Sequence, residues 1–183
     1  NAFDRLSAKY YIWRLNGDLA NESNNTTLWD IVDTNNITYT NLDKIMAVIN
    51  NSKKTINFNN RVLDGESFSI SFNLIITDDL TNSFIIFKLL NIKLEHDNGT
   101  LKLYSNDVHI RSLNINSNPN IITLTFETNK VNVFKNNMEI TYGNNVNYTL
   151  PSDLTTNLQF GYDENGDAAF YISDLLVMEN YIL

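Results

Sequence analysis

The stretch Phe68-Ser69-Ile70-Ser71-Phe72-Asn73-Leu74 alternates a large apolar side chain with a small polar one at every step. Successive side chains of an extended chain point to opposite faces, so the pattern predicts a β-strand. Phe68, Ile70, Phe72 and Leu74 are expected in a core, with Ser67, Ser69, Ser71 and Asn73 facing out. A slip of one residue would reverse every side chain, so the register is strongly specified. The same period of two recurs at Leu101-Lys102-Leu103, Ile122-Thr123-Leu124-Thr125-Phe126, Val131-Asn132-Val133, Leu158-Gln159-Phe160 and Phe170-Tyr171-Ile172.

Between these runs stand Asp97-Asn98-Gly99, Asn136-Asn137, Gly143-Asn144-Asn145 and Glu164-Asn165-Gly166-Asp167, residues suited to tight turns with positive φ. Segments 92–104 and 130–141 therefore read as hairpins. Ser83 to Leu90 is a nearly unbroken apolar run, expected as a central strand covered on both faces. Phe3 to Trp13 can be drawn as an amphipathic helix, although Tyr10-Tyr11-Ile12-Trp13 favours a strand. Asn41 to Ala47 is the other helix candidate. The expectation is one all-β domain over residues 1–183, an antiparallel two-sheet sandwich, with residues 1–6 a linker from a longer chain.

Composition narrows the function classes. With 183 residues, 43% of them hydrophobic, the chain can bury a core without covalent staples, and the absence of cysteine excludes disulfides and thiolate metal sites. The net charge of −8 and 13 scattered basic residues give no patch for successive phosphates, so nucleic acid is not an expected partner. No apolar run approaches the roughly 18 to 20 residues that cross a bilayer, so membrane insertion is not expected either. Asparagine is the outstanding residue at 32. It suits turns and wet strand faces, and its abundance by itself yields the Asn-x-Ser/Thr matches at Asn21, Asn24, Asn25, Asn36, Asn50, Asn98 and Asn147.

Taken in order, these pieces resemble the concanavalin-A-like or laminin-G-like jelly roll of many lectins and carbohydrate-binding modules. Tyr10 to Ser23, an early strand leading into a polar loop, is similar to the family's opening, and Lys54-Thr55-Ile56-Asn57-Phe58 to the short strand before the central one. Val131 to Asn137 resembles the late hairpin, with Asn137 where the family usually has Gly. Leu158-Gln159-Phe160-Gly161 and Phe170 to Val177 resemble the closing strands, the last pairing beside the first.

The resemblance implies a noncatalytic module that binds a glycan or a cell-surface receptor. Its setting would be extracellular or on a virion surface, in a viral or phage fibre or an adhesin, and trimeric if it belongs to a fibre. A structural domain acting through protein contacts is the alternative, and a glycoside hydrolase a third reading. Hydrolases of this fold carry Glu-x-Asp-x-x-Glu on a strand to bring two carboxylates to the scissile bond. Here Glu95-His96-Asp97 is the nearest approach, position 100 is Thr100, and Asp97-Asn98-Gly99 reads as a turn. His96 and His109 are too few for a metal triad, and no nucleophile elbow is present. The expectation is therefore no catalytic residues.

Sugar recognition calls for an aromatic face beside amide and carboxylate groups. Trp29, Tyr39, Tyr104, Tyr142 and Tyr162, near loops with Asn and Asp around them, are the candidates. Trp13, Phe68, Phe72, Phe126 and Phe160 are assigned to the core. The resemblance also implies a structural Ca²⁺ joining the first loop to the last strand, with Asp18, Asn21 and Asp174 at the matching positions.

Overall fold

The computed structural model describes residues 9–22, 29–34, 37–42, 44–50, 55–63, 67–76, 82–140, 148–161 and 169–179. Every regular element among them is a strand: β1 (Lys9–Trp13), β2 (Ile31–Thr34), β3 (Thr38–Asn41), β4 (Ile45–Asn50), β5 (Ile56–Phe58), β6 (Phe68–Ile76), β7 (Ser83–Leu89), β8 (Ile92–Asp97), β9 (Thr100–Ser105), β10 (Val108–Asn114), β11 (Asn120–Glu127), β12 (Lys130–Lys135), β13 (Met138–Ile140), β14 (Gln159–Phe160) and β15 (Ala169–Glu179). They form two antiparallel sheets facing each other as a sandwich, an arrangement consistent with a jelly roll. Sheet one runs β13-β12-β11-β6-β15-β4-β3, with β1 also pairing β15, and sheet two runs β10-β9-β8-β7-β14-β5-β2.

The strand Phe68–Ile76 lies at the middle of sheet one, between β11 and β15. Phe68, Ile70, Phe72 and Leu74 are all buried, and Phe72 meets Phe87 and Phe160 of sheet two edge-on at 5.8 and 5.5 Å. Each such side chain contributes roughly 1.5–3 kcal/mol by leaving water, and the four together fix which face is inward. The first strand pairs with the last, Trp13 opposite Leu175 and Lys9 opposite Glu179.

Hairpins join the strands where Asn and Gly accept positive φ. Asn98 and Gly99 (+48° and +80°), Asn106 and Asp107 (+48° and +63°), and Asn136 and Asn137 (+51° and +67°) are two-residue turns of the kind whose twist matches the flanking strands. Asn137 does the work usually given to Gly, because its short polar side chain tolerates the left-handed region.

Three expectations are corrected. Residues 41–47 form no helix: Asn41 ends β3, Ile45 begins β4, and the two pair with Thr40 opposite Met46. Ala47 and Ile49 point into the core while Met46 and Val48 point away from it, a period of two that outweighs the helical drawing. The run from Ser83 is central in sheet two, but its outward positions Ile85 and Lys88 are only half-buried and Ser83 is exposed, so one face is partly wet. Ser69 points outward yet is wholly buried, level with Thr125 and Met178, which are also wholly buried; this part of the outer face of sheet one is covered.

Candidate functional site

The outer face of sheet two carries a continuous cross-strand row. His109 of β10 stands opposite Tyr104 of β9, Tyr104 opposite Lys93 of β8, and Lys93 opposite Lys88 of β7. Lys88 continues to Gln159 of β14, and Gln159 to Asn57 of β5. Directly paired residues share a face, so these six polar or amphipathic side chains form one stripe across the sheet. All six are half-buried. The Lys93 ammonium sits 4.7 Å from the Tyr104 ring centroid, a cation–π contact, and the His109 ring approaches the same tyrosine edge-on at 5.7 Å. Gln159 Nε2 donates to Asn57 Oδ1.

Midway along, at Lys88 and Lys93, the stripe opens into a cleft of about 460 Å³, lined by both lysines with Asn91, Asn106, Asp107 and Asn157. Asn157 Oδ1 accepts the Leu90 backbone N–H at 2.9 Å and holds the β7–β8 turn against residue 157. Asn91 Nδ2 donates to Ser105 Oγ at 3.1 Å, while its Oδ1 is buried with no hydrogen-bond partner. His109 Nε2 is likewise buried and unpartnered. The unmet Asn91 oxygen, in the lining of a cleft of amides, ammonium groups and a carboxylate, favours a ligand with several hydrogen-bonding groups.

The carboxylates that most resemble a hydrolytic pair are already engaged. Asp97 accepts from Lys102 Nζ at 2.6 Å and from Ser83 Oγ at 2.7 Å, which holds its carboxyl below the usual range and raises Lys102. Glu95 lies 3.5 Å from Lys93. His96, between them in sequence, points the other way and is wholly buried; its ring packs 4.8 Å from that of Phe84, and Nε2 accepts the Gly99 N–H at 3.2 Å.

Of the sequence candidates for sugar stacking that lie among the described residues, Tyr104 alone is placed on this face. Trp29 is wholly buried, 5.8 Å from Trp13, 5.4 Å from Tyr11 and 5.7 Å from Phe58, so its indole is core and not a platform. Its size and apolar character outweigh the polar loop it came from. Tyr39 lies on β3 of the other sheet and packs against the core; burial first and Asp18 second push its hydroxyl pKa up. Tyr142 and Tyr162 lie outside the described residues.

The expected calcium ligands do not fit a divalent ion. Asp18 Oδ1 accepts the Ala20 N–H at 3.1 Å, an ordinary turn, and Asn21 Nδ2 donates to the Trp29 carbonyl at 2.8 Å. Asp174 is held by Lys44 Nζ at 2.8 Å, Asn73 Nδ2 at 2.9 Å and Arg14 at 3.5 Å, so donors already occupy the carboxylate. Among the described residues no group of three His, Asp or Glu side chains is placed to hold a metal ion.

No family model matches the chain, and no curated protein matches it. Solved structures do. The botulinum neurotoxin serotype D ligand-binding domain in complex with N-acetylneuraminic acid superposes with a TM-score of 0.69 at 16% identity, over 94% of this chain and 48% of that one. The sandwich is shared with botulinum neurotoxin receptor-binding domains. The receptor-binding domain of botulinum neurotoxin D gives 0.69 at 19% identity over 96% of this chain and 50% of that one. That of the C/D mosaic serotype gives 0.70 at 18%, over 96% and 48%. The chain thus spans about half the length of each, and at these identities the likeness establishes the fold.

Proposed function

We propose that this chain is a noncatalytic recognition domain that binds carbohydrate, free or on a cell-surface receptor, through the outer face of sheet two. The observation that carries the reading is the stripe from His109 through Tyr104, Lys93 and Lys88 into a cleft of amides with an unpartnered Asn91 Oδ1. Tyr104 supplies the aromatic edge, Asn91, Asn106, Asn157 and Asp107 the partners for hydroxyls. Lys88 and Lys93 favour a sugar that bears a carboxylate. The likeness to toxin domains named for receptor and N-acetylneuraminic acid binding supports the same reading, together with a secreted or surface-displayed setting. Engagement of Asp97 by Lys102 and Ser83 supports the noncatalytic part. Within the sandwich class, the concanavalin-A-like or laminin-G-like placement is our reading of the strand order. A glycan array probed with the purified domain tests the function: binding to a discrete set of glycans is expected, whereas silence across a broad array favours a structural domain acting through protein contacts. Release of reducing sugar from a polysaccharide would overturn the noncatalytic reading.

A further inference from the structure

Two turns meet at the cleft on sheet two. The Leu90-Asn91 turn between β7 and β8 and the Asn106-Asp107 turn between β9 and β10 stand side by side, the Asn106 N–H donating to the Asn91 carbonyl at 3.0 Å. Asn91 is held by its side chain as well: Nδ2 donates to Ser105 Oγ at 3.1 Å and to the Thr149 carbonyl at 3.4 Å. A carbonyl only accepts, so the amide cannot be turned over, and Oδ1 is the atom left buried without a partner in this lining residue. Asp107 lines the same cleft from the neighbouring turn, where its φ is +63°. Among the described residues no hydrogen bond or ion pair engages its carboxylate. The lysines of the cleft, by contrast, have partners: Lys93 lies 3.5 Å from Glu95 and 4.7 Å from the Tyr104 ring centroid, and Lys88 is engaged too.

We infer that Asn91 and Asp107 form an acceptor corner that reads a pair of vicinal hydroxyls on the bound sugar, with Asp107 as the specificity-determining residue; this rests on the carbohydrate reading of the face and names what the face selects. An amide oxygen and a carboxylate accept and cannot donate, so the group that meets them must donate twice from adjacent positions. A lone hydroxyl has one hydrogen to give and satisfies one of the two. An ammonium would bring a further positive charge into a cleft that already holds Lys88 and Lys93, and a carboxylate placed at this corner would face Asp107 with like charge. Two neighbouring hydroxyls carry no charge and donate to both. An analogue lacking one of them leaves an acceptor of the corner unmet, a loss that discriminates more sharply than a missing apolar contact.

Two pairs of sugars test it in saturation-transfer NMR titrations of the purified domain: methyl α-N-acetylneuraminide against the same glycoside shortened to C7 by mild periodate and borohydride, and methyl α-mannopyranoside against its 3-deoxy analogue. Each second member keeps the ring and charge of the first and lacks every vicinal pair of hydroxyls. At least one first member is expected to bind, with its partner about tenfold or more weaker. Asp107→Gly suits the positive φ and so keeps the turn; it should weaken the first member about tenfold, leave the second unchanged and melt within a few degrees of wild type. Asp107→Asn retains one acceptor oxygen and should weaken the first member less. Equal affinity within both pairs, or an intact sugar bound as tightly by Asp107→Gly as by wild type, would overturn the inference while leaving carbohydrate binding in place. Silence toward all four sugars would overturn it too, and the glycan array then decides separately whether the face binds carbohydrate.

Discussion

Glu179, wholly buried at the end of the last strand, lies with both carboxylate oxygens 3.2 Å from the Arg61 guanidinium, Oε1 from Nε and Oε2 from Nη2. The pair ties the segment around residue 61 to β15, and the neighbouring Arg61 N–H donates to Thr156 Oγ1 at 3.0 Å. A buried pair of this geometry is weak evidence for net stability, but removing one partner strands a charge out of water at a cost of about 3–5 kcal/mol. Glu179→Ala is expected to lower the unfolding free energy by that amount in urea titration. Replacing Arg61 and Glu179 together by apolar residues should cost less than the single change.

His96 makes the fold acid-sensitive. Burial holds its imidazole pKa below the ordinary histidine value, with smaller opposing contributions from the nearby Asn82 backbone and from Asp97. Between the two values the unfolded chain binds the proton and the folded chain does not, so stability rises with pH there. The melting temperature should fall as pH drops below about 6.5, the unfolded-state value. His96→Gln retains an acceptor for the Gly99 N–H and should abolish the part of that slope due to this residue; an identical slope in the variant would contradict the assignment.

Trp29 belongs to a cluster of rings in which Trp13 also donates Nε1–H to Asp30 Oδ1 at 2.9 Å. Trp29→Ala should cost about 3–5 kcal/mol by leaving a large cavity. A variant that keeps wild-type stability yet loses glycan binding would return this tryptophan to the surface.

Removing calcium should change nothing. Because Asp174 is held by Lys44, Asn73 and Arg14, melting curves with EDTA and with added Ca²⁺ are expected to coincide within about 1 °C. A rise of several degrees on adding Ca²⁺ would show that the ion displaces those contacts.

Much of the stripe on sheet two is legible in the sequence. Once Asn98-Gly99 and Asn106-Asp107 are taken as two-residue turns, the pairing is forced, and Lys93, Tyr104 and His109 must lie in one row. The Leu90-Asn91 turn extends the row to Lys88, but Leu90 at φ +54° is not a residue that announces a turn. Gln159 and Asn157 could not be read, because they reach β5 and the β7–β8 turn from far along the chain and no local pattern encodes such pairing. Trp29 follows Asn24-Asn25-Thr26-Thr27 and precedes Asp30, a polar setting that reads as a loop, although Leu28 and Ile31 on either side of it are apolar. Asp174 reads as an outward strand residue by alternation, and only the register shift after Ser173 reveals how it is turned.

Sugar binding by the outer face of sheet two is assigned to Tyr104 and the cleft beside it. It is tested most directly by one glycan array probed in parallel with the wild-type domain and with Tyr104→Ala, whose half-buried outward ring is not part of the core. A discrete set of bound glycans is expected for wild type, with a loss of about tenfold or more for the variant at unchanged melting temperature. Wild-type silence, or equal binding by the two proteins, would contradict it.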